Sequence, residues 1–197
     1  AGNLLGDQQS GHVREVGIEL YQQMLEDAVA DLRAEQGRRK PEDREWTPGI
    51  VMGIPVLIPD TYVPDLPVRL GLYRRISGLA SDAETEAMEA ELIDRFGAFP
   101  EEVKNLLDVV DLKRLCRQSG VEKVEAGPKG MVLQFRNNSF HDPAGLVQRM
   151  AGWKDGVVRL RPDHKLAVVR ELTNVQRVGL ARKVLGSLAK LREKALA

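Results

Sequence analysis

The chain has 197 residues, 43% hydrophobic and 29% charged, which allows a real core in one large or two small domains of ordinary soluble character. Its 29 basic and 29 acidic side chains cancel, which argues against a dedicated nucleic-acid binder with its usual basic excess. A single cysteine, Cys116, makes neither an internal disulfide nor a cysteine-rich metal site and points to a reducing cytoplasm, and no apolar run approaches the roughly 20 residues that cross a bilayer.

The chain opens without Met in a Gly-rich loop, AGNLLGDQQSG, which gives it the look of an excerpt from a longer protein. From His12 to about Gln36, Val13, Val16, Leu20 and Met24 fall on one helical stripe with Tyr21, Leu25, Ala28 and Leu32 beside it, so a long amphipathic helix is expected. GRRKPEDREWTP, residues 37–48, is charged, Pro-bearing and aperiodic and reads as a flexible linker. The alternation Ile54, Val56, Ile58 suggests a strand, which its prolines confine to a sheet edge or end. Leu66, Leu70, Leu72, Tyr73 and Ile76 return to helical spacing, with Pro67 in the harmless first turn.

Ser81 and Glu84 form a capping-box pattern that opens a helix running to Phe96 and stopping at Gly97. Pro100, Glu101 and Glu102 start the next, which carries Val103, Leu106, Leu107, Val110, Leu112 and Leu115 to Ser119–Gly120. Val121–Glu125 and Met131–Arg136 read as two strands around the turn AGPKG, and Pro143–Met150 as a short helix. Val157–Leu160 and Leu166–Val169 read as a second strand pair, although the latter could instead begin the long terminal helix Leu172–Ala197. The expected class is α+β, mixed helices with short antiparallel strands, preceded by a long helical arm; there is no internal repeat.

Signs of self-contained catalysis are missing. There is no GxxxxGK[ST] phosphate loop and no GxSxG elbow, and GPKG near residue 128 is better explained as a hairpin turn. His12, His141 and His164 lack paired-ligand spacing, so no metal site is expected. Ser139, His141 and Asp142 lie close in NNSFHDP, but turn and cap formation before Pro143 explains them better than a triad does.

Charge is segregated along the chain. Between Ser81 and Asp111 ten acids face only Arg95 and Lys104, whereas from Leu172 onward Arg177, Arg182, Lys183, Lys190, Arg192 and Lys194 face only Glu193. Such fields steer a charged partner, or they are solvated faces attracted to each other within the domain; charge alone favours the second reading. In the stretch ELIDRFG, Met88, Leu92, Ile93 and Phe96 share the expected core arc, opposite Glu84, Ala87, Glu91, Asp94 and Arg95. Glu91 and Arg95 make a favourable i,i+4 pair, while Glu84 and Asp94 lack an obvious partner on their own helix and suit guanidinium groups of another domain.

Three separated stretches resemble one family. GNLLGDQQSGHVREVGIELYQQMLEDAV is similar to the segment after the last helicase motif of bacterial transcription-repair coupling factors, a core shared with RecG-type translocases. VLIPDTYVPDLPVRLGLYRRI and ELIDRFGAFPEEVKNLL resemble the carboxy-terminal domain of the coupling factors specifically. The resemblance implies a large ATP-dependent translocase on double-stranded DNA that displaces stalled RNA polymerase and recruits UvrA. Residues 1–36 would be the end of the translocation motif, with Gln9 at a coupling position and the motif's arginine upstream of Ala1. ATP and Mg²⁺ would belong to motor domains outside this chain, so no catalysis and no cofactor is expected within it. Residues 49–197 would be a regulatory domain that docks on the UvrB-like amino-terminal module and masks its UvrA-binding surface, through Glu91, Asp94, Arg95 and Glu84. The alternatives are an independent protein-interaction domain, an accessory duplex-DNA-binding domain using the basic terminal helix and the Gly-rich front loop and, more weakly, a small hydrolase. No membrane partner is expected.

Overall fold

A computed structural model describes residues 46–196. The expected helix His12–Gln36, Gln9, and residues 37–45 of the expected linker lie outside the described residues. The last three residues of that linker belong to the domain: Pro48 is buried, and the Trp46 ring stacks under the Arg136 guanidinium at 5.1 Å.

Apolar alternation in Val121–Gly127 (β2) and Gly130–Phe135 (β3) produces the expected hairpin, with Val124 opposite Leu133 and a bulge between Val121 and Lys123. Gly130, at φ 139°, is required at its turn, because a Cβ there would sit 2.1 Å from the Val168 carbonyl oxygen of the adjacent strand. Val157–Leu160 (β4) and Lys165–Val169 (β5) pair antiparallel, so the second strand pair exists and the terminal helix starts later. The leading strand is Gly49–Val51 (β1), parallel to β2, and completes a five-stranded sheet of order β1-β2-β3-β5-β4.

The strand expected at Ile54–Ile58 does not form. Pro55 and Pro59 deprive this segment of ladder donors, and long-range side chains bond its backbone instead. Arg177 donates to the Met52 and Gly53 carbonyls at 2.9 and 3.3 Å, and Asn105 donates to that of Pro55 at 3.0 Å. The Ile58 N–H donates to the Tyr73 hydroxyl at 2.6 Å.

The helices are α1 (Leu66–Ser77), α2 (Asp82–Phe96), α3 (Glu101–Ser119), α4 (Pro143–Ala151) and α5 (Asn174–Leu196). Asp65 and Asp142 cap α1 and α4, each accepting the backbone N–H three residues on. Gly120 ends α3 in the left-handed conformation and donates to the Cys116 carbonyl. This α3 is the spine of the domain. Its first half, with Val103, Leu106 and Leu107, packs with α1, α2 and Ile58–Val63 in one core. Its second half, with Leu112 and Cys116, packs with the inner face of the sheet and with α5 in another.

Candidate functional site

The candidate face lies on α2. Ser81 caps this helix by accepting the Glu84 N–H at 3.3 Å, and the Glu84 carboxylate reaches back to the Ala80 N–H at 2.8 Å, one residue before the cap. Glu84, expected to contact another domain, is thus engaged in ending its own helix. At the other end the Tyr62 hydroxyl lies 3.1 and 2.9 Å from the Leu92 and Gly97 carbonyls, and its ring meets Phe96 edge-on at 5.8 Å. The buried line is Thr85, Met88 and Leu92. Ile93 departs from its expected core position: it is 52% exposed, because it sits about 100° round the helix from Leu92.

Glu91 has its guanidinium partner inside the domain. Arg75, in the last turn of α1, clamps the carboxylate with two bonds of 2.7 and 2.5 Å, and Arg95 adds a third at 2.8 Å. These bonds, Arg75 first and Arg95 second, hold the Glu91 carboxyl down at about 2, against an ordinary value of 4.5. A depressed carboxylate contributes stability that is complete above its unfolded value and is lost as pH falls through the folded one. The clamp should therefore loosen between about pH 4.5 and 2. In Arg75→Met the Glu91 midpoint, followed by carboxyl NMR, should return toward the ordinary range; an unmoved midpoint would show that Arg95 and the surroundings suffice.

Fixing Glu91 leaves a defined outer surface. Asp94 is exposed and has no hydrogen bond or ion pair among the described residues, and Ile93 stands beside it. Arg95 lies over Phe96 at 4.9 Å, with its side chain 42% exposed. Of the four expected docking residues, the structure groups Glu91, Asp94 and Arg95 on the last two turns of α2 and places Glu84 at the opposite end.

The segregated charges meet within the domain. Arg182 of α5 bonds Asp108 at 2.8 Å and Asp111 at 3.5 Å on α3. Asp111 is buried, accepts the Thr85 hydroxyl of α2 at 3.0 Å and lies 3.3 Å from Arg114, which also pairs with Asp82. Lys183 pairs with Asp155, and Arg192 donates to the Arg117 and Gln118 carbonyls at the end of α3. Arg177 is 7% exposed. The basic helix thus spends most of its charge internally. Sequence reasoning missed the roles of Asp111 and Arg177; for the latter a signal exists, since Arg177, Ala181, Val184 and Leu188 fall on one helical line that faces the core.

Asp142 is the cap of α4, in keeping with the turn reading of NNSFHDP, where Asn137 and Asn138 take left-handed backbone conformations. Among the described residues no group of three or more His, Cys, Asp or Glu is placed to hold a metal ion, and no helix is long and apolar enough to cross a membrane.

Residues 52–146, which contain α1, α2, α3 and the β2–β3 hairpin, match the TRCF domain family. This segment belongs to the TRCF-domain family. Over 190 residues, 96% of its length, it is 38% identical to the transcription-repair-coupling factor of Rickettsia bellii. It is 35% identical over 167 residues to that of Escherichia coli K12 and 39% identical over 169 residues to that of Myxococcus xanthus. It spans only 16%, 14% and 13% of those three relatives. The TRCF fold is also that of a crystal structure of the C-terminal domain of transcription-repair coupling factor, with a TM-score of 0.61 at 21% identity over 76% of this chain and 96% of the other.

Proposed function

We propose that this TRCF domain is the regulatory end of an ATP-dependent DNA translocase that couples transcription to nucleotide excision repair, and that it acts as a releasable clamp. In this reading it docks on the UvrB-like module at the amino-terminal end of the same protein and masks the surface that binds UvrA. RNA polymerase and double-stranded DNA are engaged by the rest of the protein. ATP and Mg²⁺ belong, in this reading, to motor domains outside this chain, whose sequence carries no GxxxxGK[ST] phosphate loop.

The observation that carries the reading is the outer surface of α2, where Asp94, unpaired among the described residues, and half-exposed Ile93 stand on a helix fixed by its cap and by the Arg75–Glu91 clamp. A rigid helix presenting one apolar side chain flanked by charges binds without first being ordered, and its polar rim lets it release. The structure also refines the test. Reversing Glu91 would break the α1–α2 clamp, so the informative change is Asp94→Arg combined with Ile93→Ser. In a full-length coupling factor carrying this domain, that double change should raise UvrA affinity at least tenfold, about 1.4 kcal/mol, by shifting the population toward the open form. Unchanged affinity at matched salt, with an intact fold by circular dichroism, would reduce this face to a solvated helix surface.

A further inference from the structure

The helices cover only one face of the sheet. Inward side chains of the strands, among them Val124, Met131, Leu133, Leu166 and Val168, are buried against them. Outward side chains face no other element among the described residues, and such a face is normally polar. Here it is not. The register places Val132 beside Ala167 and Val169 beside Val157, and Ala167 and Val169 succeed each other outward along β5. Val169 and Val157 are each 50% exposed. Strand propensity would be served as well by threonine, so it does not explain an apolar strip here.

The rim of this strip is basic. Arg159 stands opposite Ala167, Lys165 precedes Ala167 by one outward position, and Lys129 lies in the turn at the far end of β3. Arg159 and Lys129 form no ion pair among the described residues, and Lys165 reaches only Asp163, at 4.0 Å. The carboxylates at this face are engaged: Glu125 pairs with Lys123 at 2.7 Å, and Glu122 accepts from the outward Gln134 amide at 2.5 Å. What remains is an apolar lane along β5 with cations at both ends and on one flank.

We propose that this open sheet face is a second docking surface, built for an acidic amphipathic helix of a partner protein. The helix lies along β5, its apolar stripe over Val132, Ala167, Val169 and Val157 and its carboxylates toward Lys165, Arg159 and Lys129. Apolar contact supplies the affinity, and the cations, of which only Lys165 has an ion-pair partner among the described residues, select the acidic partner. The surface is separate from the α2 face, so the two are tested independently.

The probe is a fluorescent helix-forming peptide about 18 residues long, with leucines at helical spacing and glutamates elsewhere, beside a twin in which lysines replace the glutamates. Titrated into the whole chain at physiological salt, the acidic peptide should bind at least tenfold tighter than its twin. Arg159→Glu and Val169→Asp should each weaken it at least tenfold; Val169→Thr, which keeps the strand, should weaken it less but measurably, and Asp94→Arg should leave it unchanged. The proposal is overturned if the acidic peptide does not bind, if both peptides bind equally, or if the variants bind like the parent. It is also overturned if duplex DNA displaces the peptide at equal concentration, or if Val169→Thr abolishes a concentration-dependent dimer, which would make a second copy the occupant.

Discussion

A chain cut after Leu146, where the match to the TRCF family ends, should fail to fold. Of the eighteen buried residues in the sheet-side core, nine lie beyond that point: Leu166, Val168, Leu172, Val178, Leu180, Ala181, Val184, Leu185 and Leu188. At about 1.5–3 kcal/mol for each fully buried large side chain, their removal outweighs the roughly 5–15 kcal/mol by which a domain is stable. The cut also strips β5 from β3 and leaves Leu112, Cys116, Met131 and Leu133 facing water. The truncated chain should give collapsed amide dispersion in NMR and no cooperative thermal transition, whereas the whole chain should give both. A cooperative melt from the truncated chain would mean that α5 is an accessory rather than half of the core.

The second large effect is expected at Asp111→Ala. This carboxylate ties α2, α3 and α5 through a single side chain, by way of Thr85, Arg114 and Arg182. Deleting one member of a buried ionic cluster strands the others and costs about 3–5 kcal/mol. The lower end applies, because Arg182 keeps Asp108 and Arg114 keeps Asp82. About 3 kcal/mol corresponds to a fall in Tm of about 6–12 °C for a domain of this size. Asp111→Asn retains an acceptor for Thr85 and should cost less. A melting point within about 2 °C of the parent for the alanine variant would show that the cluster contributes little net stability.

The elements were largely legible because their signals are local. Ser81 and Glu84, Gly97, Pro100 and Gly120 announce helix ends within a few residues, and the alternation around GPKG announces a hairpin. What escaped is what distant residues decide. Nothing near Ile54 reveals that Arg177, Asn105 and Tyr73 will take over the backbone groups a strand would have used. Ile93 was misplaced for a different reason: the buried line of α2 is narrow and includes a threonine, which a hydrophobic wheel does not place in a core. The candidate face was legible as a polar arc. Its division into a fixed carboxylate at Glu91 and a free one at Asp94 depends on Arg75, which belongs to another helix.

The leading strand carries a consequence for the order of assembly. β1 meets β2 through three residue pairs, Gly49 with Lys123 to Val51 with Glu125, and the segment after it is locked by Arg177, 125 positions from Met52. Closing so long a loop for so short a ladder costs chain entropy that the local β2–β3 hairpin and the helical turns of α3 do not face. During synthesis β1 therefore has no settled place until α5 has followed it. The segment through which the domain joins the preceding chain is thus the last part to be secured.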